Sequence, residues 1–401
     1  MLKDFDVLNK DLKLLKFFPT KTSGIYIFDK IGNKKIDLSS NLIFGYNNKL
    51  TEKSIIKTLN STILNHSNII LNQNVDILKA HLYDIAGFNG RGEKKIDCNN
   101  NVEFCNSSTE TIETAIKIAR KRYNILCERK YNEIICFKDC DYGNSITTIS
   151  ASNKQDTNIE PLMDCFKFAK FDNIKSVDKL ITEHTSAVLL QTIQFKDGIN
   201  KPSVDFLQQL RKLCTKHEIL LILDETKCGC GKTGTFFEYE KYNILPDIVC
   251  ISNDFAGGFD FGACIISNEI KKYIDKNCNK VNNLYINISQ EYLNILSSYN
   301  FLQKVEEFEE KISISFDDLL SYDKIINKID VYGLFCIIQL QSNINNEQFA
   351  KILFSNDLIV ECIDDNCLKL NFPIICTNQE IKQIIDIIKI SMEEIFIIEK
   401  Y

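Results

Sequence analysis

Short runs of aliphatic residues, each ending in polar or acidic residues, alternate along this chain with stretches whose apolar positions recur every three or four residues. The clearest run lies in residues 219–266, ILLILDETKCGCGKTGTFFEYEKYNILPDIVCISNDFAGGFDFGACII. Its first apolar run ends in Asp224 and Glu225, the pattern of a buried parallel strand whose carboxyl end faces a site. A loop spaced by Gly229, Gly231 and Gly234 follows, then an aromatic helical turn and a Pro246-Asp247 break. A second strand, 248–251, empties into Ser252-Asn253-Asp254, and Gly257, Gly258 and Gly262 precede a third strand at 263–266. In an α/β sheet the carboxyl ends of neighbouring strands converge on a ligand crevice, so Asp224 and Asn253 are expected to look into one pocket.

Other segments show the same alternation. Residues 23–38 read as a hairpin turning at Ile31-Gly32-Asn33. Residues 51–66 have helical spacing through Ile55, Ile56, Leu59, Ile63 and Leu64, with His66 at the helix end. At 102–122 (VEFCNSSTETIETAIKIARKR) a short strand reaches Asn106, and Ser107 opens a helix with Glu110 at capping-box spacing. Its buried stripe is Ile112, Ala115, Ile116 and Ala119. The first amides of such a helix are unpaired and its dipole favours negative charge, which makes this an anion seat. Residues 203–217 form an amphipathic helix on Val204, Leu207, Leu210 and Leu213. The last third reads as strand 332–340, helix 346–354, strands 359–363 and 367–372, and helix 378–397.

Composition narrows the class. The chain has 401 residues, enough for two or three domains, and a net charge of −6 that suits neither a nucleic-acid face nor a basic membrane surface. No apolar run reaches transmembrane length and the amino terminus lacks a signal-peptide core, so a cytoplasmic protein is expected. Sixteen cysteines are scattered through apolar strands, where cysteine is a small hydrophobe, and no histidine stands at ligand spacing to them. No metal site is expected.

The segment LDETKCGCGKTGTFFEYEKYNILPDIVCISN, with its following glycines, resembles the core motif of class III, fold-type I pyridoxal-phosphate aminotransferases, nearest to the ornithine and acetylornithine group. The resemblance runs in order over nearly the whole chain. It implies a mostly parallel α/β sheet with a smaller carboxyl-terminal α/β domain, divided as 1–50, 51–300 and 301–401. It implies pyridoxal phosphate as cofactor, held by Ser107, Ser108 and Thr109 at its phosphate and by Asp224 at its ring nitrogen. The lysine that carries the cofactor as a Schiff base falls at Asn253. The residue that stacks on the ring falls at Asp141, unless a one-residue shift lets Tyr142 stack. A glutamine beside the ring hydroxyl falls at Lys227, and the two glutamates of a Glu-Pro-Ile-Gln-Gly-Glu strand end fall at Gln191 and Lys196. The arginine that grips a substrate carboxylate falls at Lys369, a point charge without the planar fork. Two readings stay open. One is a degenerate member, without transaminase activity and with cofactor binding weak or lost, acting as a homodimer or beside another partner. The other is an active enzyme on an ornithine-like amino donor, with Lys227 as a relocated lysine.

Overall fold

The computed structural model describes residues 17–61, 73–88, 101–128, 131–153, 159–274, 282–364 and 366–398. His66 lies outside these. The chain divides into two compact units, one of residues 53–194 and 200–303, the other of residues 1–52, 195–199 and 304–401.

The larger unit is built on seven strands: β1 (Val102–Cys105), β2 (Glu133–Phe137), β3 (Phe166–Ala169), β4 (Thr185–Gln191), β5 (Leu220–Asp224), β6 (Ile248–Ser252) and β7 (Gly262–Ile266). They lie in the order β1-β7-β6-β5-β4-β2-β3. The run from β3 to β6 is parallel, while β7 is antiparallel to both β6 and β1. The central strands are buried along their length, which is why they read as unbroken aliphatic runs. Parallel pairing of β5 and β6 sets Asp224 and Asn253 at the carboxyl ends of adjacent strands.

Helix α1 (Ser108–Cys127) packs on β6 and β7 through a stripe that includes Ile112, Ala115, Ile116 and Ala119. Helix α2 (Val204–Lys216) buries Phe206, Leu207, Leu210 and Cys214. Val204 is exposed, because the helix starts there and its buried face is set by the 206–207–210–214 spacing.

In the smaller unit the opening hairpin pairs Tyr26–Asp29 with Lys34–Asp37, its turn held by Asp29 Oδ1 accepting from the amides of Ile31 and Asn33. The opening segment is not a body of its own: Leu358–Ile359 adds to the hairpin as a parallel strand. The expected strand at 332–340 is the second half of a hairpin, Ile326–Tyr332 with Phe335–Leu340, folded at Gly333. The apolar run at 358–363 divides between two sheets, since Glu361–Ile363 pairs with Cys367–Asn371 instead.

Candidate functional site

Asp224 ends β5 and is 1% exposed. The amide and hydroxyl of Thr226 both donate to its Oδ1, at 2.9 and 2.7 Å. Its Oδ2 is buried and has no hydrogen-bond partner among the described residues. Burial pushes this carboxyl above its ordinary range, against the hydrogen bonds from Thr226. A buried carboxylate oxygen without a donor is costly. An N–H cation or a protonated ring nitrogen would satisfy it.

Glu225, next in the chain, looks elsewhere. Its two oxygens accept from the amides of Glu238 and Tyr239, at 2.7 and 2.9 Å. Burial pushes its carboxyl up to about 8. It ties the aromatic turn Glu238–Tyr242 to the end of β5 and belongs to the scaffold.

Beyond β6 the backbone of Asn253 takes φ 49 and ψ −52, close to the strained γ-turn conformation. Its amide donates to Phe261 O at 2.7 Å, and its carbonyl accepts from Ala256 and Gly258 at 3.0 and 2.9 Å. Its side-chain oxygen accepts from the Ser252 hydroxyl at 2.5 Å. Asp254, the next residue, pairs with Lys232 at 2.5 Å, with both side chains 2% exposed. That ion pair fastens the 228–234 glycine loop to the turn holding Asn253. It is not legible in sequence, since a lysine and an aspartate 22 positions apart carry no local pattern.

At the start of α1 the Ser107 side chain caps the helix, accepting from Glu110 N at 3.1 Å. The reciprocal contact is shifted by one residue, because Glu110 Oε2 accepts from Asn106 N rather than from the cap's own amide. Ser108 and Thr109 hold the first helical positions, whose amides have no partner within the helix. The loop carrying Asp141 lies directly beside them. A Cβ on Gly143, where φ is 131, would fall 2.5 Å from Thr109 Oγ1, so only glycine allows this approach.

Within that loop Tyr142 is not a free ring. It is 2% exposed, and its hydroxyl donates to Leu189 O inside the sheet at 2.9 Å. A ring needs an open face to stack on a ligand, and this one is packed into the core instead. Asp141 takes the outward place, with its Oδ2 3.0 Å from Lys227 Nζ. The side-chain amide of Gln191, which ends β4, bonds both the N–H and the carbonyl of Asp141, at 3.4 and 3.3 Å.

Lys369 lies in the smaller unit and is 7% exposed. Its ammonium sits 3.2 Å from Glu361 Oε2 and 4.6 Å from the centroid of the Phe195 ring. Among the described residues no group of three or more histidine, cysteine, aspartate or glutamate side chains could hold a metal ion, and no helix is long and apolar enough to cross a membrane.

A family model, class-III aminotransferase, matches residues 7–392. The acetylornithine aminotransferase of Methanocaldococcus jannaschii is 27% identical over 93% of this chain and 92% of its own length. The acetylornithine/succinyldiaminopimelate aminotransferase of Buchnera aphidicola from Acyrthosiphon pisum is 28% identical over 89% of this chain and 87% of its own. Among solved structures, the ornithine aminotransferase of Toxoplasma gondii superposes with a TM-score of 0.85 at 19% identity, covering 100% of this chain and 96% of that one. An amine transaminase from an uncultivated Pseudomonas species, in its PLP-bound form, gives 0.83 at 17% identity over 94% and 95%.

Proposed function

The chain belongs to the class III aminotransferase family, and from that premise we propose that it keeps the family's fold without its transamination chemistry. The Toxoplasma gondii and Pseudomonas structures above are described with PLP, so this cofactor is the group whose fit matters. The observation that carries the reading is Asn253. An amide has no amine to condense with a carbonyl, and it cannot take and return a proton as a free amine does. The backbone is strained at this position, and the side-chain oxygen accepts from the Ser252 hydroxyl.

The rest of the donor set divides. The amides at Ser108 and Thr109, with the free oxygen of Asp224, suit a phosphate at one end of a ligand and an N–H at the other. When bound, pyridoxal phosphate supplies an electron-withdrawing ring. The groups that would hold its aldehyde, its ring face and its hydroxyl do not fit. They are an amide, a carboxylate and an ammonium. Binding on this reading is weak and non-covalent, and no catalytic step follows from it.

The alternative, Lys227 as a relocated lysine, is opposed by its ion pair with Asp141 at 3.0 Å. The amine that would have to attack a carbonyl is engaged by the Asp141 carboxylate instead. Lys369, already paired with Glu361, has little left to grip a substrate carboxylate.

A structural or regulatory role therefore fits best, with an ornithine-like amino acid as ligand if a small molecule binds at all. We place the protein in the cytoplasm, which the free state of the described cysteines supports. The test is a single-turnover assay with saturating pyridoxal phosphate and ornithine, acetylornithine or 4-aminobutyrate. No conversion of cofactor to its amine form is expected; conversion with any of the three overturns the reading. Assembly is a separate proposal, a homodimer. Sedimentation should show twice the chain mass, and a monomer with no copurifying partner would contradict it.

A further inference from the structure

Gln191, Asp141 and Lys227 form one connected set: the Gln191 side chain holds the Asp141 backbone, and the Asp141 side chain pairs with Lys227. Gln191 ends β4 and stands in register with Asp224 on β5. Its carboxamide accepts the Asp141 N–H and donates to the Asp141 carbonyl, at 3.4 and 3.3 Å. Only a group with both a donor and an acceptor can do this; a glutamate would set a carboxylate oxygen against the carbonyl. Asp141, held in that way, directs its carboxylate to Lys227, three residues beyond Asp224. Both charges act on the Asp224 carboxyl, in opposite senses.

We propose that Asp141, Gln191 and Lys227 form a rebuilt cap over the free oxygen of Asp224, a blocking contact that keeps flat, phosphorylated heterocycles from seating there. It goes beyond the loss of a lysine, because it says the slot has been closed by a matched set rather than left to decay. The physical argument concerns water. The Lys227 and Asp141 side chains are 37% and 48% exposed, so the ion pair is partly hydrated. A ring laid over it strips that water, and desolvating an ion pair costs more than its attraction returns unless the geometry compensates. Removing one partner is no remedy, since the other charge is then left alone beneath the ring. Removing both together opens the slot.

The experiment uses the full chain and pyridoxine 5′-phosphate, which has the ring and phosphate but no aldehyde. Binding is followed by calorimetry for the wild type, D141F, K227Q and the D141F/K227Q pair. Because no lysine can condense with this probe, the outcome is independent of the transaminase assay above. The two single variants should bind no better than wild type, whereas the pair should bind about tenfold more tightly, the scale expected when a desolvated charge pair is replaced by a stacking ring and a neutral amide. Should D141F/K227Q not fold, judged by circular dichroism and thermal melting, D141N/K227Q removes both charges with near-isosteric side chains and is held to the same criterion of the pair against its singles. The cap is overturned if wild type binds as tightly as the pair, or if the two single effects multiply to the pair's gain.

Discussion

Two neighbouring carboxyls, Asp224 and Glu225, show how position decides chemistry at the scale of a residue. Alternation along β5 and its exit turns Asp224 to the crevice and Glu225 back into the scaffold, where two amides and the buried Glu238 surround it. For Glu225 the folded state holds its proton up to about 8, against an ordinary value of 4.5. The unfolded chain ionises this group first. Its contribution to stability is therefore full below pH 4.5 and is lost as pH rises towards 8. Burial raises Asp224 in the same direction, so it adds to that slope at the acidic end. Glu225→Gln should flatten the fall in unfolding free energy across this window, measured by urea titration at a series of pH values. A slope as steep as wild type would contradict the assignment. Asp224 and Asn253 could be placed from sequence because each ends an aliphatic run. The bonds of Gln191 could not, because a carboxamide reads the same whether it braces a loop or faces water.

At the scale of elements, strands β4 to β6 and helix α1 were legible because their burial is continuous or strictly periodic. Residues 332–340 read as one strand because only Gly333 marks the turn within them, and residues 359–363 read as one strand because their split depends on partners far away in sequence. Pairing of charges between elements was not legible either. The Lys232–Asp254 ion pair joins the glycine loop to the turn after β6, and with both side chains 2% exposed it is a desolvated contact. Removing one member leaves the other's charge buried. Lys232→Ala should cost about 3–5 kcal/mol of stability in chemical denaturation. The Lys232→Met/Asp254→Asn pair should recover much of that loss. A loss below about 1 kcal/mol, the level of a surface pair, would show that water reaches this site.

For the whole molecule, the architecture and the reacting centre are held by different constraints. A family profile spanning 7–392 and a TM-score of 0.85 against an ornithine aminotransferase show that packing constraints have kept the architecture. Those constraints act on the whole apolar core and tolerate volume-conserving exchange, so they survive at 19% identity. On the proposed reading the reacting centre would rest on a few polar side chains, among them Asn253, Asp141 and Lys227 of the larger unit. Restoring one residue should not restore the reaction, since groups that act as a unit do not contribute separately. On the proposed reading, no lysine of this chain holds pyridoxal phosphate. This is tested most directly by incubating the purified protein with that cofactor, reducing with borohydride and mapping the peptides. No pyridoxyl-lysine is expected above the level of exposed surface lysines; stoichiometric modification of Lys227 would contradict the reading and point to an enzyme with a displaced amine.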